Sequence, residues 1–252
     1  MIVFSKIKRW TAAALCAAVS LTVGAVASYD ALSVKAERFF DAREWASAQA
    51  LYGLMLDRRP DCDSTYVNAI IASSMLGQPD MASHLLTEAM KAGVSFPRLM
   101  SGVKSVAFEV GEPDVYEDFM LRSQRDCPWL GRAIDSELLQ YYIFRRNGSR
   151  TIVYAEKMLA GLPSSIAYLS DLADGYVMIG DFDGATATWK RILDIDADNY
   201  LTLLKLGNYY DICGRRDEAI EYLSRADRLR QTPFVTSRIN TLVSSRLATP
   251  VK

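Results

Sequence analysis

One turn is written twice in this chain, 34 residues apart. Gly77-Gln78-Pro79-Asp80 recurs as Gly111-Glu112-Pro113-Asp114. Glycine suits the left-handed residue that ends a helix. Proline suits the first turn of the next helix, where its missing N–H costs nothing. Each copy therefore reads as helix, turn, helix. The stretch from Tyr200 to Pro233 shows what such a unit contains. Leu203, Leu206, Gly207 and Tyr210 follow the i, i+3, i+4, i+7 spacing of one helix face, and Ala219, Leu223 and Ala226 mark a second face. Gly214 breaks the chain between them. Two antiparallel helices cannot bury such a shared apolar face alone, so copies must stack beside them.

This segment resembles a tetratricopeptide repeat, whose W-x₂-L-G-x₂-Y…A-x₃-F…P pattern recurs every ~34 residues. Leu203 stands where that family usually has Trp, and Leu223 where it has Phe. Pro233 comes slightly late. The same register is found along the chain, in units near 29–62, 63–96, 97–130, 131–165, 166–199 and 200–233. Unit one carries Phe39, Ala48, Tyr52 and Pro60, and unit two carries Ala82, Leu86 and Ala89 after its turn. Unit three has Tyr116 where the family prefers Ala, which predicts a splayed pair or an outward-tilted tyrosine. Unit four is irregular: Leu138, Tyr141 and Tyr142 precede a late turn at Asn147-Gly148-Ser149, then Ile152, Ala155 and Leu159 follow. Unit five has Leu169, Leu172, Ala173 and Tyr176, then Gly180, then Ala185, Trp189 and Ile192. Residues 234–247 place Val235, Ile239, Leu242 and Val243 at helical spacing, with Arg238 and Arg246 directed elsewhere. A solenoid exposes an apolar face at its end, and this segment is predicted to be the helix that caps it. Residues 248–252 are a short tail.

The predicted fold is thus all-α, an array of about six helix-turn-helix units over 28–247 with a C-terminal cap. The resemblance implies a right-handed superhelical solenoid whose first helices line a concave groove. It also implies that the groove binds a peptide or a partner helix.

Residues 1–27 read differently. Lys6, Lys8 and Arg9 make a positive start, Thr11 to Ala27 carries no charge, and Ala25-Val26-Ala27 is a small-x-small cleavage pattern. These are the parts of a secretory signal peptide, which predicts export to the periplasm or cell envelope. The competing reading is an uncleaved anchor, and only that reading brings the membrane in as a partner. Leu15 before Cys16 stands where a lipobox needs a small residue, so a lipoprotein is not predicted. Cleavage removes three basic and no acidic residues and takes the formal net charge from −1 to −4. That balance gives no basic field for nucleic acid.

Composition excludes most catalytic chemistry. His84 is the one histidine, so a histidine-rich metal set cannot be built unless carboxylates supply the rest, and a Ser-His-Asp or Cys-His set would have to rest on His84 alone. It reads as a solvent-facing residue. No Cys-x-x-Cys, Gly-x-Gly-x-x-Gly or phosphate-loop Gly-Lys-Ser/Thr occurs, and no cofactor or metal is predicted. Asp194-Ile195-Asp196-Ala197-Asp198 begins like a calcium loop, but Asn199 and Lys205 replace its essential Gly and Glu. We read it as a polar connector. Asn147-Gly148-Ser149 fits a glycosylation pattern and is read as a turn. Arg225, Arg228, Arg230, Arg238, Arg246 and Lys252 are read as solubilising cations near helix ends. The register separates Cys62, Cys127 and Cys213, and no disulfide is predicted among them.

The groove is the candidate site. The groove-facing positions of the first helices give Glu37, Phe40, Val67, Ile71, Phe108, Leu139, Tyr142, Asp174, Asn208 and Asp211. They run from apolar and aromatic to acidic and amide, and the aromatics read equally well as packing between repeats. Asn208 fits one position of the carboxylate clamp of chaperone-binding relatives, but the partnering Lys and Arg are not seen at their places. Three functions remain. The first is a non-catalytic envelope scaffold for a peptide or protein. The second is a membrane-tethered assembly subunit. The third is an enzyme with an unrecognised carboxylate site, for which ordinary Asp and Glu content is the sole support.

Overall fold

The computed structural model describes residues 28–247. The export segment predicted at 1–27 and the tail at 248–252 lie outside the described residues. Thirteen α-helices follow in order: α1 Tyr29–Asp41, α2 Trp45–Leu56, α3 Asp63–Met75, α4 Pro79–Lys91, α5 Phe96–Glu109, α6 Pro113–Asp126, α7 Gly131–Phe144, α8 Gly148–Gly161, α9 Ile166–Ile179, α10 Phe182–Ile195, α11 Tyr200–Ile212, α12 Arg216–Leu229 and α13 Pro233–Leu247. A short 3₁₀ turn, Pro128–Leu130, precedes α7. No strand occurs among the described residues.

The turn inside each pair has one construction. In every pair a residue within two positions of the end of the first helix is left-handed. Glycine takes it at Gly77, Gly111, Gly180 and Gly214, with φ of +65°, +80°, +78° and +74°. In the first and fourth pairs the place is held by Arg43 and Arg146, with φ of +59° and +51°. An L-residue in that conformation is strained by roughly 1–2 kcal/mol. Arg43 recovers something, since its guanidinium donates 2.9 Å to the Val110 carbonyl at the end of α5. Of the second helices, α4 and α6 start on proline (Pro79, Pro113), α8 and α10 start under a side-chain cap, where Asn147 accepts from the Arg150 N–H and Asp181 from the Gly184 N–H, and α2 and α12 have neither. Asn147 is therefore the cap of α8. Arg216 is the first residue of α12, and Pro233 opens α13 rather than closing the sixth pair.

The helices gather into two compact units, one running to Ile134 and one from Asp135. In the first, Ala36 and Ala48 are fully buried where α1 meets α2. Phe40 packs edge-on to Trp45 at 5.1 Å and to Tyr52 at 6.1 Å. Gln49 on α2 donates to Ser73 at 2.8 Å and to Gln78 at 2.9 Å, so its buried amide is satisfied from α3 and its turn. Between α3 and α5 the approach is close: a β-carbon on Gly102 would stand 2.6 Å from Val67. Tyr116 is fully buried, so the outward tilt predicted for it does not occur.

In the second unit, α8 and α9 meet through Gly148 and Gly175. A β-carbon on Gly148 would sit 2.7 Å from Ile179 and Met178, and one on Gly175 would sit 3.0 Å from Ile152. Gly207 does the same for α11 against Leu223 of α12. Phe182 and Tyr209 stack at 5.5 Å, Tyr210 and Tyr222 at 5.6 Å. Val235 and Leu242 of α13 are buried. Thr236 of α13 donates to Asp227 of α12, so the last helix is held by both apolar and polar contacts.

Candidate functional site

The sequence-derived groove residues separate by burial. Phe40, Val67, Ile71, Leu139 and Tyr142 are buried and present almost no surface to a ligand. Phe108 is half-buried, and Glu37 is exposed, accepting from Ser33 one turn earlier. These apolar members serve the packing of successive helices. Leu139 and Tyr142 lie fully inside, with Tyr142 5.3 Å from the ring of Tyr154.

Three of the four polar members belong together. Asp174 is on α9, Asn208 and Asp211 on α11, all in the second unit. Lys205 on α11 donates 2.6 Å to Asp174, tying α9 to α11. Arg238 on α13 pairs with Asp211, tying α11 to α13. Asn208 lies one turn from each α11 partner and is exposed, with its amide free to donate and accept. Asp171, one turn before Asp174 on α9, is half-buried. Burial first, then the charge of Asp174, raises its carboxyl from 3.8 to about 6 against the opposing pull of Lys205.

Sequence reasoning missed Asp171, Lys205 and Arg238, although a signal was present. They occupy the sixth place of α9, α11 and α13 respectively. Following that place along the repeat, one turn before the ninth, finds all three.

The single histidine is not at this site. His84 Nε2 lies 3.0 Å from the Glu88 carboxylate on α4, partly exposed. Cys62 opens α3 in the first unit. Burial pushes its thiol up, but hydrogen bonding with Ser64, Thr65 and Tyr29 outweighs this and brings it down to about 7. The cysteines at 62, 127 and 213 are free thiols. No group of three or more His, Cys, Asp or Glu placed to hold a metal ion is found among the described residues. No helix among them is long and apolar enough to cross a membrane.

The described residues define an all-α helical repeat array with a polar face on the first helices of its second unit. The fold is that of the tetratricopeptide repeat proteins. No protein-family model and no curated protein matches the sequence. Among solved structures, the chain is similar to the Naa15/Naa10 complex bound to HypK-THB, at 15% identity and a TM-score of 0.50, over 87% of this chain and 34% of that one. It is also similar to a putative protein binding protein from Bacteroides ovatus, at 15% identity and TM-score 0.49, over 73% of this chain and 97% of that one. A third is the C-terminal part of a TPR repeat-containing protein from Cytophaga hutchinsonii, at 12% identity and TM-score 0.46, covering 77% of each chain. At these identities the likeness is one of fold.

Proposed function

We propose that this protein is a non-catalytic scaffold of the cell envelope that binds a peptide or protein on the first-helix face of its second unit. The observation that carries the reading is the exposed amide of Asn208 between two cross-helix ion pairs, Asp174–Lys205 and Asp211–Arg238. The ion pairs tie together three alternate helices, α9, α11 and α13, so the face is ordered before a ligand arrives. Preorganisation of that kind reduces the entropy lost on binding. An amide flanked by both signs of charge matches a peptide main chain, which offers donors and acceptors in alternation. Export follows from the positive start, the uncharged run and the cleavage pattern of residues 1–27.

The test is a cross-linking pull-down from envelope extract with the native protein and with Asn208→Arg. A bulky cation there blocks the face without touching the core. The expected result is a partner retained by the native protein and lost from the variant. Retention of the same proteins by both would remove this face from consideration. N-terminal sequencing should begin near Ser28, and a sequence starting at Met1 would favour a tethered assembly subunit.

A further inference from the structure

The second unit carries a cleft lined by none of the residues of the proposed binding face. It lies between α8 and α10, with α9 as its floor, and has a volume of about 400 Å³. Leu159 and Leu172 make an apolar base, and Ala160, Gly184 and Ala187 keep the walls low. Glu156 stands on the α8 wall and Arg191 on the α10 wall. Neither has an ion-pair partner within 4 Å among the described residues. By helical spacing the same two faces continue into exposed apolar residues, Val153 one turn before Glu156 and Ile195 one turn after Arg191.

The pattern is self-complementary. The two helices begin 34 residues apart, at equivalent points of successive repeats. Glu156 is the ninth residue of α8 and Arg191 the tenth of α10, so they stand at one level, within about 1.5 Å of helix rise. Turn a second copy about a two-fold axis running along the cleft, and each α8 lies over the other copy's α10. Glu156 then faces Arg191 of the second copy, and Arg191 faces Glu156 of the second copy. Val153 is sixth in α8 and meets Ala187, sixth in α10, while Ala160 near the end of α8 meets Ile195 at the end of α10. Large side chains meet small ones at both ends, and each charge meets its opposite. A two-fold interface requires this reciprocity of one patch with itself.

We infer that the α8–α10 face is a self-association surface, and that its partner is a second copy of this chain. The charges at its rim would set orientation and register more than affinity.

The test uses the full chain in sedimentation velocity over a concentration series, with Glu156→Arg and Arg191→Glu. Both residues are exposed, so the variants should fold, and circular dichroism checks this. The native protein should dimerise. Each single variant should raise the dimer dissociation constant about tenfold or more, since like charges then oppose twice. An equimolar mixture of the two single variants should restore the native value, because Glu156→Arg in one copy then faces Arg191→Glu in the other, and the unchanged pair meets as before. That rescue requires contact between copies, and no effect within one chain can mimic it. A chain that stays monomeric at every concentration overturns the inference. So does a dimer whose affinity the single variants leave unchanged.

Discussion

Asp171 shows how much one carboxylate's setting can matter. It stands on α9 beside Asp174, with Lys205 already committed to Asp174. Its folded pKa of about 6 lies above its ordinary 3.8. An acid held above its unfolded pKa costs stability once both states are ionised, and the cost vanishes below the unfolded value. Stability should therefore fall as pH rises from about 4 to about 6 and stay reduced above that. Asp171→Asn removes the cost. Allowing for solvent at a half-exposed site, the variant should gain on the order of 1 kcal/mol at pH 7.5 and nothing at pH 3.5. Urea denaturation at the two pH values measures it, and an equal effect at both would mean that Asp171's charge is not the cause. Asp171, Lys205 and Arg238 were not read as site residues from sequence. Their pairing crosses between helices, and a spacing rule applied within one helix cannot see it. Arg238 in particular was read as a solubilising cation directed away from the apolar stripe of its helix.

At the scale of the element, the helices were legible and their turns were partly so. Gly77-Gln78-Pro79-Asp80 and Gly111-Glu112-Pro113-Asp114 state their own geometry, because glycine and proline each have few other uses. Arg43 and Arg146 hide the same turn, since an arginine carries no signal for a left-handed backbone. The apolar candidates failed as surface for a related reason. Position in a helix gives the direction of Phe40, Val67 and Ile71, but not how closely the next helix covers them, and close approach follows from small residues elsewhere, such as Gly102 against Val67. Gly207 makes this a measurable effect. A β-carbon there would stand 2.6 Å from the Leu223 branch carbon and 3.2 Å from its backbone nitrogen. Alanine would gain up to about 1 kcal/mol of helix propensity. It would also force α12 outward, at an overpacking cost of about 1–3 kcal/mol. Gly207→Ala should therefore be destabilising on balance, by about 1 kcal/mol. Gly131→Ala, with nothing within 4 Å, should be neutral or slightly stabilising. Thermal or urea unfolding of the pair decides, and a stabilised Gly207→Ala would mean that α11 and α12 are not pressed together there.

For the whole molecule, repetition sets how damage travels. In a repeat array each unit contacts only its neighbours, and stability is close to a sum of unit and interface contributions. The all-α array was legible because that period survives in the sequence even where single motif residues depart from it. The gathering into two compact units was not, since the 34-residue interval continues through α7 without a linker composition to mark a boundary. Ala219 tests the consequence. It is fully buried on α12, in the element that Gly207 and Tyr210 of α11 pack against. Ala219→Leu adds volume where there is none and should cost about 1–3 kcal/mol. Arg216→Leu, at the exposed start of the same helix, should change stability by no more than about 0.5 kcal/mol. The loss should be local. Hydrogen exchange should accelerate first through α11, α12 and α13, which rest on that contact, while α1 to α4 keep their protection. Exchange that rose equally over all thirteen helices would instead show a single cooperative body, in which the repeats do not carry their own stability.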